Sequence, residues 1–267
     1  SSTCETWRII GVFDGKVKIM RNEIIGKIAY DNDDEDTYLQ SIARDNDGNN
    51  SRVELLKYNI SDEDIIIKLA PEQGNGQNDY SKSSLQKILN NYYYNSLKYT
   101  GKSTYDFTSI GFKNDTTRNM IAEITYNLGG HDDSSIYSNQ IYSYERGTTV
   151  YSGNATTWTG KIALAYPSDY GYAADLSLCQ KQLSSYNDAT CTANNWMKSI
   201  LAPNYGWLLT PNSGFAFVVW HLNSTGGVGN YYNTFDASGV APVLSLISEL
   251  SIGSGTGESS SPYQLSV

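Results

Sequence analysis

From Tyr205 to Val240 the chain reads YGWLLTPNSGFAFVVWHLNSTGGVGNYYNTFDASGV, with core-type apolar residues alternating with Asn, Tyr, Phe, Ser, Thr and His between glycines. Alternation predicts β-strands, because successive side chains of a strand point to opposite faces. Strands are expected at 207–209, 215–222, 228–232 and 240–246, with Gly226-Gly227 turning the middle pair into a hairpin. On the second strand Phe215, Phe217, Val219 and His221 share one face, and Ala216, Val218 and Trp220 the other. One of these faces packs on the core, so half of the run is expected at the surface, with His221 among the surface positions.

The start is also β-rich. TWRIIGVFDGKVKIM, residues 6–20, is two apolar runs joined by Asp14-Gly15, a strong hairpin signal because a tight primed turn requires positive φ. Residues 22–30 are expected to continue as a third strand. Helical spacing follows at 79–97, where Ser81 or Ser83 caps and Leu85, Ile88, Leu89 and Tyr92 form the stripe. A second helix is predicted over 116–128, with Met120, Ile121, Ile124 and Leu128 buried and Gly129-Gly130 as its stop. A third, short helix is expected around 194–201. Residues 141–153 and 158–166 read as β-type runs, and 169–174 as a turn. Together these elements predict an α+β fold in a single domain over 1–267, with 31–76 as an acidic insertion.

The insertion contains DNDDED and RDNDGNN. Aligned as a calcium loop on Gly48, it offers Asp45, Asp47 and Glu54, but the first ligand position falls on Ala43, which has no side-chain oxygen. A solvated acidic loop is the expectation, with an irregular cation site left open.

Composition narrows the function classes. The 267 residues carry a net charge of −9, from 19 Lys plus Arg against 28 Asp plus Glu, which argues against nucleic acid or an anionic membrane as partner. No apolar run reaches the about 18 residues that a membrane-spanning helix needs. The 22 tyrosines supply amphipathic contact area suited to recognition, although an AT-rich coding bias would raise Tyr, Asn, Lys and Ile together. Cys179 and Cys191 flank a polar loop and are expected to form a disulfide, with Cys4 left over. Neither a zinc-type CxxC nor clustered histidines occur, so no metal or other cofactor is expected. Five N-x-[ST] sequons, at Asn49, Asn59, Asn114, Asn154 and Asn223, are read as compositional. The opening SSTCETWRII begins almost on a strand, which predicts a trimmed product and leaves an N-terminal anchor open.

Several phrases occur in a familiar order: TWRIIGVFDGKVKIMRN, NDYSKSSLQKILNNYYYNSL, RNMIAEITYNLGG, ERGTTVYSGNATTWTGKIALAYPSDYGYA, GVAPVLSL and GTGESSSPYQL. Together they resemble a family of bacterial surface-protein domains of undefined function, often tethered through pilin-like or membrane segments. The domain is similar to the C-type-lectin-like branch that includes formylglycine-generating enzymes and the variable proteins of diversity-generating retroelements. The resemblance spans nearly all of the chain outside the insertion. It implies two helices packed on a small, twisted, mostly antiparallel sheet with long loops. It also implies ligand contacts in a C-terminal segment that corresponds here to 212–236. The family's usual Gly-Val-Arg-Pro is Gly239-Val240-Ala241-Pro242 here, so an arginine that anchors structure or ligand is missing.

The resemblance does not carry oxidase activity, because formylglycine-generating enzymes use cysteines late in the domain and none follows Cys191. His221 lacks an evident oriented acid, and His131-Asp132-Asp133 reads as a solvated loop, so no enzyme is expected. The expectation is an extracellular, cell-surface adhesion or recognition module for a host or bacterial surface protein or glycan. Its candidate ligand-binding residues are Asn212, Phe215, Phe217, His221, Asn223, Asn230, Tyr231, Tyr232, Asn233, Phe235 and Asp236. A subunit of a pilus or other surface filament is the alternative. Calcium-dependent lectin activity is not expected, since the required carboxylate–Asn loop is absent.

Overall fold

A computed structural model describes residues 5–31, 76–101, 103–258 and 260–266. Cys4 and the calcium-loop candidates Asp45, Asp47 and Glu54 lie outside the described residues. The chain opens with the expected hairpin, β1 (Trp7–Phe13) and β2 (Lys16–Arg21). Asp14 and Gly15 both have positive φ, 48° and 73°, as a primed turn demands. The third strand is shorter than expected, β3 (Lys27–Ala29), and leaves the hairpin to pair elsewhere.

The two edges of the acidic insertion meet. The Asp31 carboxylate accepts the backbone N–H of Gln77 at 2.6 Å and of Ser84 at 3.0 Å. A side chain at Gly76 would come within 2.1 Å of the Asp31 carbonyl oxygen, so only glycine fits this close approach.

The first helix starts where its cap is. Ser83 Oγ accepts from the Gln86 N–H at the head of α1 (Ser84–Lys87), which widens into a π-helical turn over Ile88–Tyr93. Leu85, Ile88, Leu89 and Tyr93 are buried on its inner side. Short strands β4 (Lys98–Thr100) and β5 (Thr104–Asp106) follow.

The second helix is cut short and gives way to a strand. α2 covers only Asp115–Asn119, and β6 (Ile124–Asn127) pairs with β7 (Thr157–Gly160). A stripe of Met120, Ile121, Ile124 and Leu128 fits a helix by spacing, but β-branched and aromatic residues at 124–126 find a cross-strand partner, and that pairing decides. Two further expectations are reversed. Residues 141–153 are not β-type; α3 (Ser138–Glu145) covers their first part, with the Gln140 side chain accepting the Tyr137 N–H at 3.0 Å, and turns follow. Residues 169–174 are not a plain turn, since after β8 (Ile162–Ala163) comes α4 (Pro167–Tyr172), with Pro167 in its first turn.

Short helices α5 (Ala189–Thr192) and α6 (Lys198–Leu201) lead to β9 (Trp207–Pro211), β10 (Val218–Leu222) and β11 (Val228–Asn233). β12 (Ala237–Gly239) pairs with β3, and β13 (Val243–Ser245) enters the first sheet, ordered β1-β2-β13-β8. The second sheet is ordered β11-β10-β9, and all pairings are antiparallel. The fold is therefore α+β, built from small antiparallel sheets and short helices rather than two long ones.

Two strands of the second sheet, β9 and β10, are buried on both faces. Leu208, Trp220 and Leu222 pack with Met197, Leu201 and Tyr170, whereas Trp207, Leu209 and Val219 pack with Tyr30, Tyr80 and Leu89. The expectation of one exposed face on this strand is corrected, because the sheet lies between two apolar clusters.

Cys179 and Cys191 form the expected disulfide, with Cα atoms 4.6 Å apart. Both cysteines are buried beside Leu183 and Tyr186. Replacing the pair by serine is expected to cost ~3 kcal/mol through the freed loop, lowering Tm by about 6–12 °C in a calorimetric scan. An unchanged Tm would show that the loop is held by packing alone.

Candidate ligand-binding surface

The candidate surface is the outer end of the β10–β11 hairpin together with the 212–217 loop leading into it. Buried amides hold that loop in place. Asn78 Nδ2 lies 2.7–2.8 Å from the carbonyl oxygens of Asn212, Phe215 and Val218, and its Oδ1 accepts from Asn154 Nδ2 at 2.6 Å. Asn212 donates to the Asn230 carbonyl at 2.8 Å and accepts the Gly214 N–H at 2.7 Å. Backbone groups of 212–217 are thus satisfied without a regular strand, which frees the side chains to point outward.

Three aromatic rings stand out. Tyr231 is 63% exposed, and Phe215 and Phe235 are each 42% exposed. Phe215 meets Tyr231 edge-on at 5.3 Å and Phe217 at 6.3 Å, a geometry that holds the rings in place. Phe217, Asn230, Asn233 and Asp236 are half-buried around them. Between Tyr205 and Val240 the only formal side-chain charge at neutral pH is Asp236, so this segment is mainly aromatic and amide in character, with the exposed Asp132 carboxylate beside Gly214 adding negative charge at its edge.

Other candidates lie beneath it. Asn212 is 1% exposed, and its amide is committed to the loop. His221 is 8% exposed, which corrects the surface position expected for it. Burial lowers its pKa to about 4, only partly offset by a backbone hydrogen bond with Gly229, so the ring is neutral at physiological pH. Among the described residues its Nδ1 has no hydrogen-bond partner and no carboxylate orients it. Tyr232 covers His221, with ring centres 4.5 Å apart, and also packs on Trp207 at 5.3 Å, so it is half scaffold and half surface. Asn223 makes the hairpin turn: its Oδ1 accepts from the Thr225 N–H and hydroxyl and from the Gly227 N–H.

Some neighbours were not legible as site residues. The His131-Asp132-Asp133 loop is tied to the hairpin, since Trp220 Nε1 donates to the His131 carbonyl at 2.9 Å and Asn230 Nδ2 donates to the Asp132 carbonyl. The His131 ring stacks on exposed Tyr144 at 4.2 Å. Tyr205, 40% exposed, lies parallel to Tyr232 at 6.2 Å. These contacts join segments far apart in sequence, and no local pattern announces them.

Among the described residues, no group of three or more His, Cys, Asp or Glu is placed to hold a metal, and no helix is long and apolar enough to cross a membrane. No protein-family model, curated protein or solved structure matches the chain.

Proposed function

We propose that this protein is an extracellular recognition module of C-type-lectin-like fold that grips a surface protein or glycan through its late loops. One observation carries the reading: Phe215, Tyr231 and Phe235 stand exposed at the margin of a sheet whose other two strands, β9 and β10, are fully buried. Leaving large aromatic surface in water is unfavourable, and a rigid scaffold that nonetheless displays it supports a binding role. Aromatic faces stack on sugar rings or protein side chains, and the Asn230 and Asn233 amides supply directional donors and acceptors.

The test is a glycan-array and cell-surface pull-down screen with wild type and a Phe215→Ala/Tyr231→Ala/Phe235→Ala variant. Exposed positions bear little of the fold, so the variant is expected to unfold within about 1–2 kcal/mol of wild type. Binding is expected to fall by at least ~100-fold. A folded variant that retains every interaction of the parent would remove these loops as the binding surface.

A further inference from the structure

Lys18 on β2 and Asp169 in α4 are 151 residues apart in sequence, yet Lys18 Nζ contacts Asp169 Oδ2 directly. Only 6% and 4% of these side chains are exposed. The rings of Tyr166 and Phe13 lie 4.5 and 5.3 Å from the nitrogen and shut out water. Asp169 Oδ2 also accepts the Tyr166 backbone N–H at 2.8 Å, which polarises the carboxyl carbon. A third ionisable group, Glu145, is fully buried in the same region, held by the Ser168 N–H at 2.9 Å and by the Ser168 hydroxyl. Burial pushes Glu145 up to about 8, with the Asp169 charge adding to the shift and Ser168 and Arg146 opposing it, so Glu145 carries a proton at neutral pH.

An ion pair kept this dry loses hydration on both partners, and its mutual attraction offsets that loss only in part. An amine and a polarised carboxyl held in contact among apolar rings have another outcome. We propose that Lys18 and Asp169 condense spontaneously into an intramolecular amide cross-link.

The step balances without a co-reactant. Lys18 Nζ passes one proton across the contact to the Asp169 carboxylate, where Oδ1 carries it, leaving a neutral amine beside a carboxylic acid. The amine lone pair attacks Cγ and forms the C–N bond. Oδ2 takes up the developing negative charge where the Tyr166 N–H already points. A second proton passes from nitrogen to Oδ1, the Cγ–Oδ1 bond breaks and water leaves. Oδ2 remains as the amide oxygen and keeps its hydrogen bond. Contact between the reacting groups supplies the effective concentration, of order 10⁵ M or more, that the free groups lack in water.

Intact-mass measurement of the reduced, denatured wild-type protein is the test. The expected mass is one water below that of the sequence. A tryptic digest is expected to give a branched peptide joining the segments around Lys18 and Asp169, with no cleavage after Lys18. Lys18→Arg and Asp169→Ala should each restore the full mass. A wild-type mass equal to that of the unmodified sequence, with a free Lys18 peptide in the digest, overturns the proposal whether or not any variant folds.

Discussion

Asn78→Ala is expected to lower unfolding free energy by about 3–5 kcal/mol and to abolish ligand binding at the same time. Asn78 is fully buried, and its amide group is the common partner of three carbonyl oxygens, those of Asn212, Phe215 and Val218. Its two hydrogens serve these carbonyls, of which that of Val218 alone also accepts a backbone bond among the described residues, from the Asn212 N–H at 3.0 Å. Truncation leaves buried oxygens unpaired, orphans the Asn154 amide and opens a small cavity, and each effect costs of order 1–2 kcal/mol. The loop released is the one that presents Phe215. Asn78→Ala should therefore lose binding without touching any exposed ring, whereas the triple alanine variant should lose binding with little loss of stability. Chemical denaturation and a binding assay on the two proteins separate these effects. An Asn78→Ala protein within ~1 kcal/mol of wild type would mean that backbone hydrogen bonds alone hold the loop.

The contrast between Asn78 and the exposed rings shows what the sequence could and could not carry. Features set by neighbours in the chain were legible. Asp14-Gly15 demands a primed turn, Ser83 offers an N-cap, and the loop between Cys179 and Cys191 is short enough to close. The strands at 207–211, 218–222 and 228–233 were legible from alternation, and their ends moved by only a few residues. Features set by distant partners were not. Residues 124–127 have the spacing of a helix and the composition of a strand, and only β7, some thirty residues on, settles the matter. Only three residues of α3 are buried, Ser138, Ile141 and Glu145, so it lacks a strong apolar stripe. The burial of His221 depends on Tyr232 and Trp207 closing over it, and alternation along one strand cannot show that both faces are covered. Within the candidate site, sequence marked the right segment but could not separate exposed Tyr231 from half-buried Tyr232. The Lys18–Asp169 contact spans 151 residues and left no local trace.

The two buried titratable groups, His221 and Glu145, are expected to bend the stability–pH curve in opposite directions. His221 is held at about 4 in the folded chain against 6.5 when unfolded, so the unfolded state binds its proton more tightly. The stability it contributes is complete above pH 6.5 and is lost as pH falls toward 4, a change of ~3 kcal/mol. Glu145 is held at about 8 against 4.5, so the folded state keeps its proton. Its contribution is complete below pH 4.5 and is lost as pH rises toward 8, a change of ~4–5 kcal/mol. Between pH 4.5 and 6.5 the two slopes oppose one another. From 6.5 to 8 only Glu145 acts, and stability should fall by about 1.4 kcal/mol per pH unit. Urea unfolding of wild type, Glu145→Gln and His221→Asn across pH 4–8 tests each limb by difference, so that surface carboxylates cancel. Glu145→Gln should flatten the alkaline limb alone, and His221→Asn the acid limb alone. Because His221 lies directly under Tyr232, the acid limb should also reach the binding surface. Affinity should weaken below pH 6 in wild type and lose that dependence in His221→Asn. Parallel curves for all three proteins would mean that both groups titrate as they do in water, and that the burial assigned to them is wrong.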